Sequence, residues 1–330
     1  MAVVGIIANP AASKDIRRLV AQGRVIPDWE KVNTVRRVML GLQSVGIDQV
    51  VAMPDSSNLC WRARDDSHLS IEFSLLEMSA LYTEGDTIRA AELMGGMGVD
   101  CLVTLGGDGT NRAAAKGCAA TPLVALSTGT NNVFPAMVEG TLAGIAAGLV
   151  AQGKLPLDRV STVSKTLEIH IDGEYQDLAL VDVALSRERF VASRAIWDLS
   201  TLYEVFLTRG EPSSIGLSSV GGQLQPVSLD DNQGLRYVLG ESTQGNSVTV
   251  TAPIAPGVVE EVAIADWQIL NLGESVLVNQ RHYTVAVDGE RAFNAYPQQQ
   301  LELVLQRNGP TVVDVHKAMH VAAEVGLLRR

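Results

Sequence analysis

The sequence predicts an α/β domain followed by an all-β domain: a Rossmann-like parallel sheet over residues 1–154, then an antiparallel β-sandwich over residues 155–309. Three observations predict it. Val3-Val4-Gly5-Ile6-Ile7-Ala8 is a continuous apolar run, the pattern of a parallel strand covered on both faces. Two later apolar runs, 99–105 and 122–126, each lead into a short glycine-containing loop and then a helical stretch, so one strand–loop–helix unit occurs twice in close succession. Beyond Leu155 the pattern changes to strand-length runs punctuated by turns, among them the hairpin signal Asp172-Gly173, which implies antiparallel pairing rather than further βαβ units. A chain of 330 residues is long enough to give each domain its own core.

Composition narrows the function classes. With 46% apolar and 19% charged residues the chain reads as globular rather than disordered. A net charge of −11 argues against non-specific nucleic-acid binding, which needs a basic face, but leaves room for a nucleotide in a local pocket. Cys60, Cys101 and Cys118 show neither metal-ligand spacing nor a disulfide framework, and the five histidines form no zinc motif. His316 and His320 are four apart, yet no Glu stands at the second position of the pair, so a solvated helix face is expected. There is no signal-peptide pattern, and the longest apolar stretch, 141–150, is too short to span a bilayer. The expectation is a reduced, cytoplasmic protein without a membrane span.

Taken in order, the first strand (3–8) ends in a turn-rich segment, 9–14, that leads into 15–20. Asn9 either fixes this loop or touches a nucleotide ribose. Arg17 and Arg18 are phosphate candidates, but neighbours on a helix point about 100° apart, so at least one is expected to be solvated. Val35, Val38, Met39 and Leu42 give residues 32–45 helical spacing, and 49–54 reads as a second strand. Residues 55–70 are polar, a loop or short helix; 71–76 alternate weakly, as an edge strand does. Residues 84–97 read as a helix with a glycine C-cap, and a further helical run is expected from about 134–135 through 151, broken by the segment 152–156. In the second domain, strands are expected at 166–171, 175–185, 235–239, 248–251 and 283–287, with a helix over 196–208. Residues 213–222 are rich in Ser and Gly, either a substrate-contacting loop or a plain surface loop. Residues 310–330 are expected to pack back on the first domain.

The chemistry concentrates in two loops. Gly106, Gly107 and Gly109 flank Asp108 and precede Thr110, and a helix is expected from about Asn111. Glycines let a ligand approach the main chain, and free N–H groups at a turn and helix start can hold phosphate. Asp108 is anomalous there, because like charges repel unless a cation or a proton transfer employs the acid. The second loop, Ser127-Thr128-Gly129-Thr130-Asn131-Asn132, follows the next strand, and in a parallel sheet both loops emerge at the same carboxyl edge, where open α/β folds bind ligands. A third constellation, Asp288-Gly289-Glu290, reads as a hairpin turn or as a functional carboxylate pair; Asp172-Gly173-Glu174 shows how readily the pattern recurs.

Together these motifs resemble the superfamily of NAD kinases and diacylglycerol-type lipid kinases, which carries a Gly-Gly-Asp-Gly-Thr loop and a later Gly-Thr-x-Asn loop. The run Asn9-Pro10-Ala11-Ala12-Ser13-Lys14-Asp15-Ile16-Arg17-Arg18-Leu19-Val20 most resembles the acetoin-catabolism protein X group of the ATP-NAD kinase-like branch. The resemblance implies a kinase that transfers a phosphoryl group from ATP to a hydroxyl of a small molecule or dinucleotide, with Mg²⁺ between carboxylates and polyphosphate. Asn9, Gly106, Gly107, Gly109 and Thr110 would bind nucleotide on one side, with Thr128, Gly129, Thr130, Asn131 and Asn132 on the other. Asp108 would orient or deprotonate the acceptor hydroxyl or hold Mg²⁺, and Asp288 or Glu290 would take the other of these roles. Asp182 remains a candidate for binding a ribose. Three positions depart from the patterns: Ser13 replaces the usual glycine, Val181 stands where NAD kinases place an Asn, and Asn132 where lipid kinases place an Asp. The alternatives are therefore a nucleotide-binding sensor or accessory protein without turnover, and a lipid kinase. A dehydrogenase fits less well, since no Gly-x-Gly-x-x-Gly follows the first strand. NAD kinase relatives are oligomers, so the resemblance implies self-association as well.

Overall fold

The computed structural model describes residues 2–12, 21–23, 25–129, 131–188, 198–241, 247–279 and 281–329. Arg17, Arg18, Ser13 and Thr130, singled out above, lie outside them. The first domain runs β1 (Val3–Ala8), α1 (Asp28–Ser44), β2 (Gln49–Ala52), α2 (Leu59–Ala63), β3 (Glu72–Leu75), α3 (Glu84–Gly96), β4 (Cys101–Gly106), α4 (Asp108–Gly117), β5 (Leu123–Ser127), α5 (Gly140–Ala151), α6 (Leu157–Val160) and β6 (Ser161–Val163). The second runs β7 (Thr166–Ile171), β8 (Glu174–Ala179), β9 (Asp182–Ser186), β10 (Leu202–Leu207), α7 (Leu217–Leu224), β11 (Gln233–Leu239), β12 (Val248–Ala255), β13 (Val258–Asn271), β14 (Ser275–Leu277), β15 (Tyr283–Val287), β16 (Glu290–Ala295) and β17 (Leu301–Gln306). The chain then returns to the first sheet through β18 (Thr311–Val313) and α8 (Val315–Glu324).

The first sheet has the order β3-β2-β1-β4-β5-β18-β6. Its strands are parallel except β6, which pairs antiparallel with β18. The strand order reverses direction between β1 and β4, which leaves a crevice beyond their carboxyl ends. The loop after β1 and the glycine loop after β4 both open there. One sheet face is covered by α1, α2, α5 and α8, and the other by a cluster that includes Ala90, Met94, Phe134, Leu180 and Val181. Leu180 and Val181 come from the link between β8 and β9, so the second domain closes part of the first domain's core.

Helices α1 and α5 cross through glycines. A Cβ on Gly144 would lie 2.1 Å from the Val38 carbonyl oxygen, and one on Gly41 2.3 Å from that of Thr141. Both obstacles are backbone, which cannot rotate away. Gly144→Ala is therefore expected to force the helices apart and cost about 1–3 kcal/mol or more, read as a lowered Tm. An unchanged Tm would mean that the crossing is looser than this.

The second domain is built of two further sheets, seven-stranded (β12-β13-β11-β10-β9-β15-β16) and four-stranded (β14-β17-β7-β8), packed face to face around Leu167, Ile169, Leu185, Phe206, Val285 and Leu303. The far face of the larger sheet is covered by α7 and by the curled β12–β13 ribbon.

Four local expectations change. Residues 202–207 are strand β10 rather than helix. The apolar run Leu-Tyr-Glu-Val-Phe-Leu suits either state by pattern, and pairing with β9 and β11 on its two sides decides it. Of the rest of the expected helix, 196–197 lie outside the described residues and Leu199–Thr201 form a single 3₁₀ turn capped by Asp198. Within 213–222 the chain enters α7 at Leu217, because Gly221 and Gly222 let the helix sit against Leu207 and Pro212. The expected strand 175–185 is two strands in different sheets, β8 and β9, broken at Leu180-Val181. Helix α5 begins at Gly140 with Glu139 as its cap, whereas residues 133–135 are bends and Ala136 is bridged to Leu126. Among the described residues no helix is long and apolar enough to cross a membrane.

Candidate active site

The site begins with the loop after β1. The Asn9 side chain accepts a hydrogen bond from Ala11 N–H and donates to Thr110 Oγ1, both at 2.8 Å, while its N–H donates to the Leu105 carbonyl. Asn9 thus locks one rim of the crevice to the other. Beneath the loop, Lys31 is fully buried on α1 and donates from Nζ to the Pro10 and Ala12 carbonyls at 2.7 Å. A lysine on an otherwise apolar helix face was a signal available in the sequence.

The glycine loop packs without room for side chains at two positions. A Cβ on Gly106 would fall 2.5 Å from Thr110, and one on Gly107 2.8 Å from Asn132 Oδ1. The helix starts at Asp108, three residues earlier than expected, with Gly107 as its cap and its first N–H groups at the crevice. Asp108 accepts from the Val133 and Phe134 N–H groups, at 3.1 and 2.8 Å. The Gly106 carbonyl accepts from Thr128 N–H. The two loops are therefore bound into one unit. Within the second loop, Thr128 Oγ1 and Asn131 Oδ1 are buried with no hydrogen-bond partner among the described residues. Buried polar atoms of this kind are rare in a folded chain and mark places where a ligand or water completes the bonding.

Asp288 and Gly289 form a two-residue hairpin turn between β15 and β16, with φ of 49° and 76°, as a type I′ turn requires. The Asp288 carboxylate points inward. It accepts from the Leu180, Val181 and Asp182 N–H groups at 3.0, 2.7 and 3.2 Å. Glu290 instead extends over the start of α4, with Oε1 3.7 Å from where a Gly109 Cβ would stand. Asp182 is buried at the head of β9 and accepts from Gly289 N–H at 3.3 Å.

Burial pushes the Asp288 carboxyl up to about 6; Arg112 and the Leu180 N–H pull it down, and Asp108 pushes it further up. Its folded value thus lies above the ordinary carboxylate value of 3.8, so the folded chain holds this proton more tightly. The stability it contributes is present below about pH 4 and is lost as pH rises to about 6, a change of about 3 kcal/mol. In Asp288→Asn, Oδ1 still accepts the three N–H groups but nothing titrates. The Tm advantage of wild type over this variant is expected to shrink from pH 4.5 to pH 7; growth over that interval would overturn the assignment.

Between the domains lies a charge cluster that the sequence reading missed. Arg112, buried on α4, bonds Asp177 Oδ2 on β8 at 2.6 Å and Glu84 at the start of α3 at 3.3 Å, with Asp288 Oδ2 3.9 Å away. Lys116 joins Asp177 at 2.7 Å and Glu84 at 3.2 Å. Thr83 and Asp86 form a capping box on α3 at the same rim, a Thr-x-x-Asp pattern legible in the sequence.

These elements enclose a cleft of about 340 Å³ whose lining includes Asn9, Gly107, Thr110, Asn132 and Glu290. A second cavity of about 50 Å³ lies toward the sandwich, lined in part by Asn131, Asp182, Ile215, Leu217 and Ile254. Asp108 and Asp288 line both. The structure thus brings together Asn9, the glycine loop, Asn131, Asn132, Glu290 and Asp182; Thr128, which is buried, and Gly129, whose carbonyl accepts from Ser127 Oγ at 2.8 Å, are not among the residues lining either cavity.

A Rossmann-like sheet joined to antiparallel sheets, with paired loops at the switch point, defines a protein with a kinase-like fold, and residues 4–154 match the ATP-NAD kinase N-terminal domain. Residues 165–308 match the acetoin catabolism protein X C-terminal domain. The chain belongs to the acetoin catabolism protein X family: it is 38% identical to acetoin catabolism protein X of Cupriavidus necator over 99% of this chain and 94% of that protein. Two solved structures named "putative diacylglycerol kinase", from Bacillus anthracis str. Sterne, superpose with TM-scores of 0.46 and 0.45 at 13% identity, covering 94% of this chain and 96% and 97% of theirs.

Proposed function

We propose that the protein is an ATP-dependent kinase that phosphorylates a hydroxyl of a small molecule or dinucleotide. The observation that carries this reading is the position of Asp108, a carboxylate at a helix start that lines both the large cleft and the second cavity. The large cleft would take ATP: N–H groups at the start of α4, Thr110 and Asn9 on one side, Asn132 on the other. Among the described residues no three His, Cys, Asp or Glu side chains converge on a metal. Mg²⁺ needs only one or two carboxylates beside phosphate oxygens and water, a role that Glu290 fits while Asp108 serves the acceptor. When bound, it would neutralise charge on the phosphates. Asp288, held by three N–H groups, shapes the turn that presents Glu290 and serves the site by position. In the transfer, the acceptor oxygen bonds the γ-phosphorus as the bond to the β,γ-bridging oxygen breaks; ADP leaves, and the hydroxyl proton passes to Asp108.

The test is ADP release from Mg-ATP, with and without NAD, NADH and small alcohols. Acceptor-dependent release supports the kinase. Saturable ATP or NAD binding without release would favour the sensor reading, for which Val181, buried in the core in place of the NAD kinase amide, is the specific support. The name of the Cupriavidus relative associates that protein with acetoin catabolism, and we propose the same setting for this chain.

A further inference from the structure

The two cavities differ sharply in size, and that difference bears on the acceptor. One water-sized group needs about 10–15 Å³ of such space. The 340 Å³ cleft accordingly holds about 25–35 non-hydrogen atoms, the size of one nucleoside triphosphate. The 50 Å³ cavity holds about three to five. With ATP in the cleft, the second cavity is the space left beside Asp108 for an acceptor.

Its lining suits a short hydroxylic molecule. Asn131 lines it, and its buried Oδ1 has no hydrogen-bond partner among the described residues, an unsatisfied acceptor beside the cavity. Asp108 and Asp182 supply carboxylates, and Ile215, Leu217 and Ile254 form an apolar wall. We propose that the acceptor is a diol or hydroxyketone of about three to five non-hydrogen atoms, and not a dinucleotide or a diacylglycerol. This rests on the kinase reading: the acceptor hydroxyl gives its proton to Asp108 as its oxygen takes the γ-phosphoryl group and ADP departs.

The experiment measures ADP formation by the full chain with Mg-ATP and, in turn, propane-1,2-diol, hydroxyacetone, glucose, NAD and dioctanoylglycerol. At least one three-carbon acceptor is expected to raise the rate tenfold or more over the water background, an increase lost in Asp108→Asn. Glucose, NAD and dioctanoylglycerol are expected to stay at background. Ile215→Ala and Ile254→Ala, each at a half-buried position of the wall, are expected to lower kcat/KM for the three-carbon acceptor about tenfold and to raise it for hexane-1,2-diol. Transfer to glucose, NAD or dioctanoylglycerol with a higher kcat/KM than any three-carbon compound would overturn the size limit and leave the kinase standing. No acceptor-dependent ADP from any of them, with ATP binding shown by calorimetry, would overturn the kinase reading and this proposal with it.

Discussion

Asp108→Asn is expected to lower kcat for phosphoryl transfer by about 10²–10⁴, the range for loss of a positioned general base. The fold should survive it. Asp108 Oδ1 accepts from both Val133 and Phe134, and an asparagine carbonyl oxygen in that place keeps both bonds. What is removed is the negative charge, whose favourable interaction with the start of α4 is worth about 0.3–1 kcal/mol. ATP affinity is expected to hold or improve, because a like charge beside the phosphates is gone. Asp108→Ala is the companion measurement: it strips both N–H groups of their partner, so Tm should fall along with kcat. Wild-type turnover in Asp108→Asn would remove this residue from the chemistry and leave it as the tie between the two loops.

The second large effect is expected at Arg112. Burial works against its charge, but Asp288, Asp177 and Glu84 outweigh burial and hold the guanidinium protonated. Arg112→Met leaves those acids facing one another with only Lys116 to offset them, a change of about 3–5 kcal/mol for a buried ionic group that loses its partner. Because Asp177 lies on β8 and Glu84 on α3, the loss should also loosen the cleft between domains and raise KM for ATP. Arg112→Lys is expected to recover little, since one ammonium cannot span Asp177 and Glu84 as the planar fork does. In a double-mutant cycle with Asp177→Asn, a coupling of about 1–3 kcal/mol is expected in Tm-derived stabilities. Additive effects would show that the pair is only a surface contact.

Much of the architecture was legible before any coordinates. Strand β1 read as a buried parallel strand because all its positions are apolar, and the two glycine loops declared themselves because close packing, as of Gly106 on Thr110, tolerates no side chain there. The Asp-Gly hairpins were equally plain, since a type I′ turn demands residues that accept positive φ. Residues 202–207 were not, because an apolar run is compatible with helix and strand alike until neighbours offer hydrogen bonds on both sides.

The site divides the same way. Asn9, Asp108 and Asn132 stand out in the sequence because each lies in a loop whose backbone needs them. Which carboxylate of Asp288 and Glu290 is turned inward depends on where the Leu180, Val181 and Asp182 N–H groups lie, more than a hundred residues earlier in the chain. Arg112 and Asp177 are 65 residues apart and carry no shared motif; only the docking of one domain on the other makes them a pair. By itself the sequence determined the two sheet types, the paired glycine loops and the identity of the acids, because these depend on short-range pattern and backbone conformation. Only the tertiary structure decided which acid is buried, how the domains are clamped and how little space lies beside Asp108, because burial and charge pairing depend on distances that sequence separation does not set.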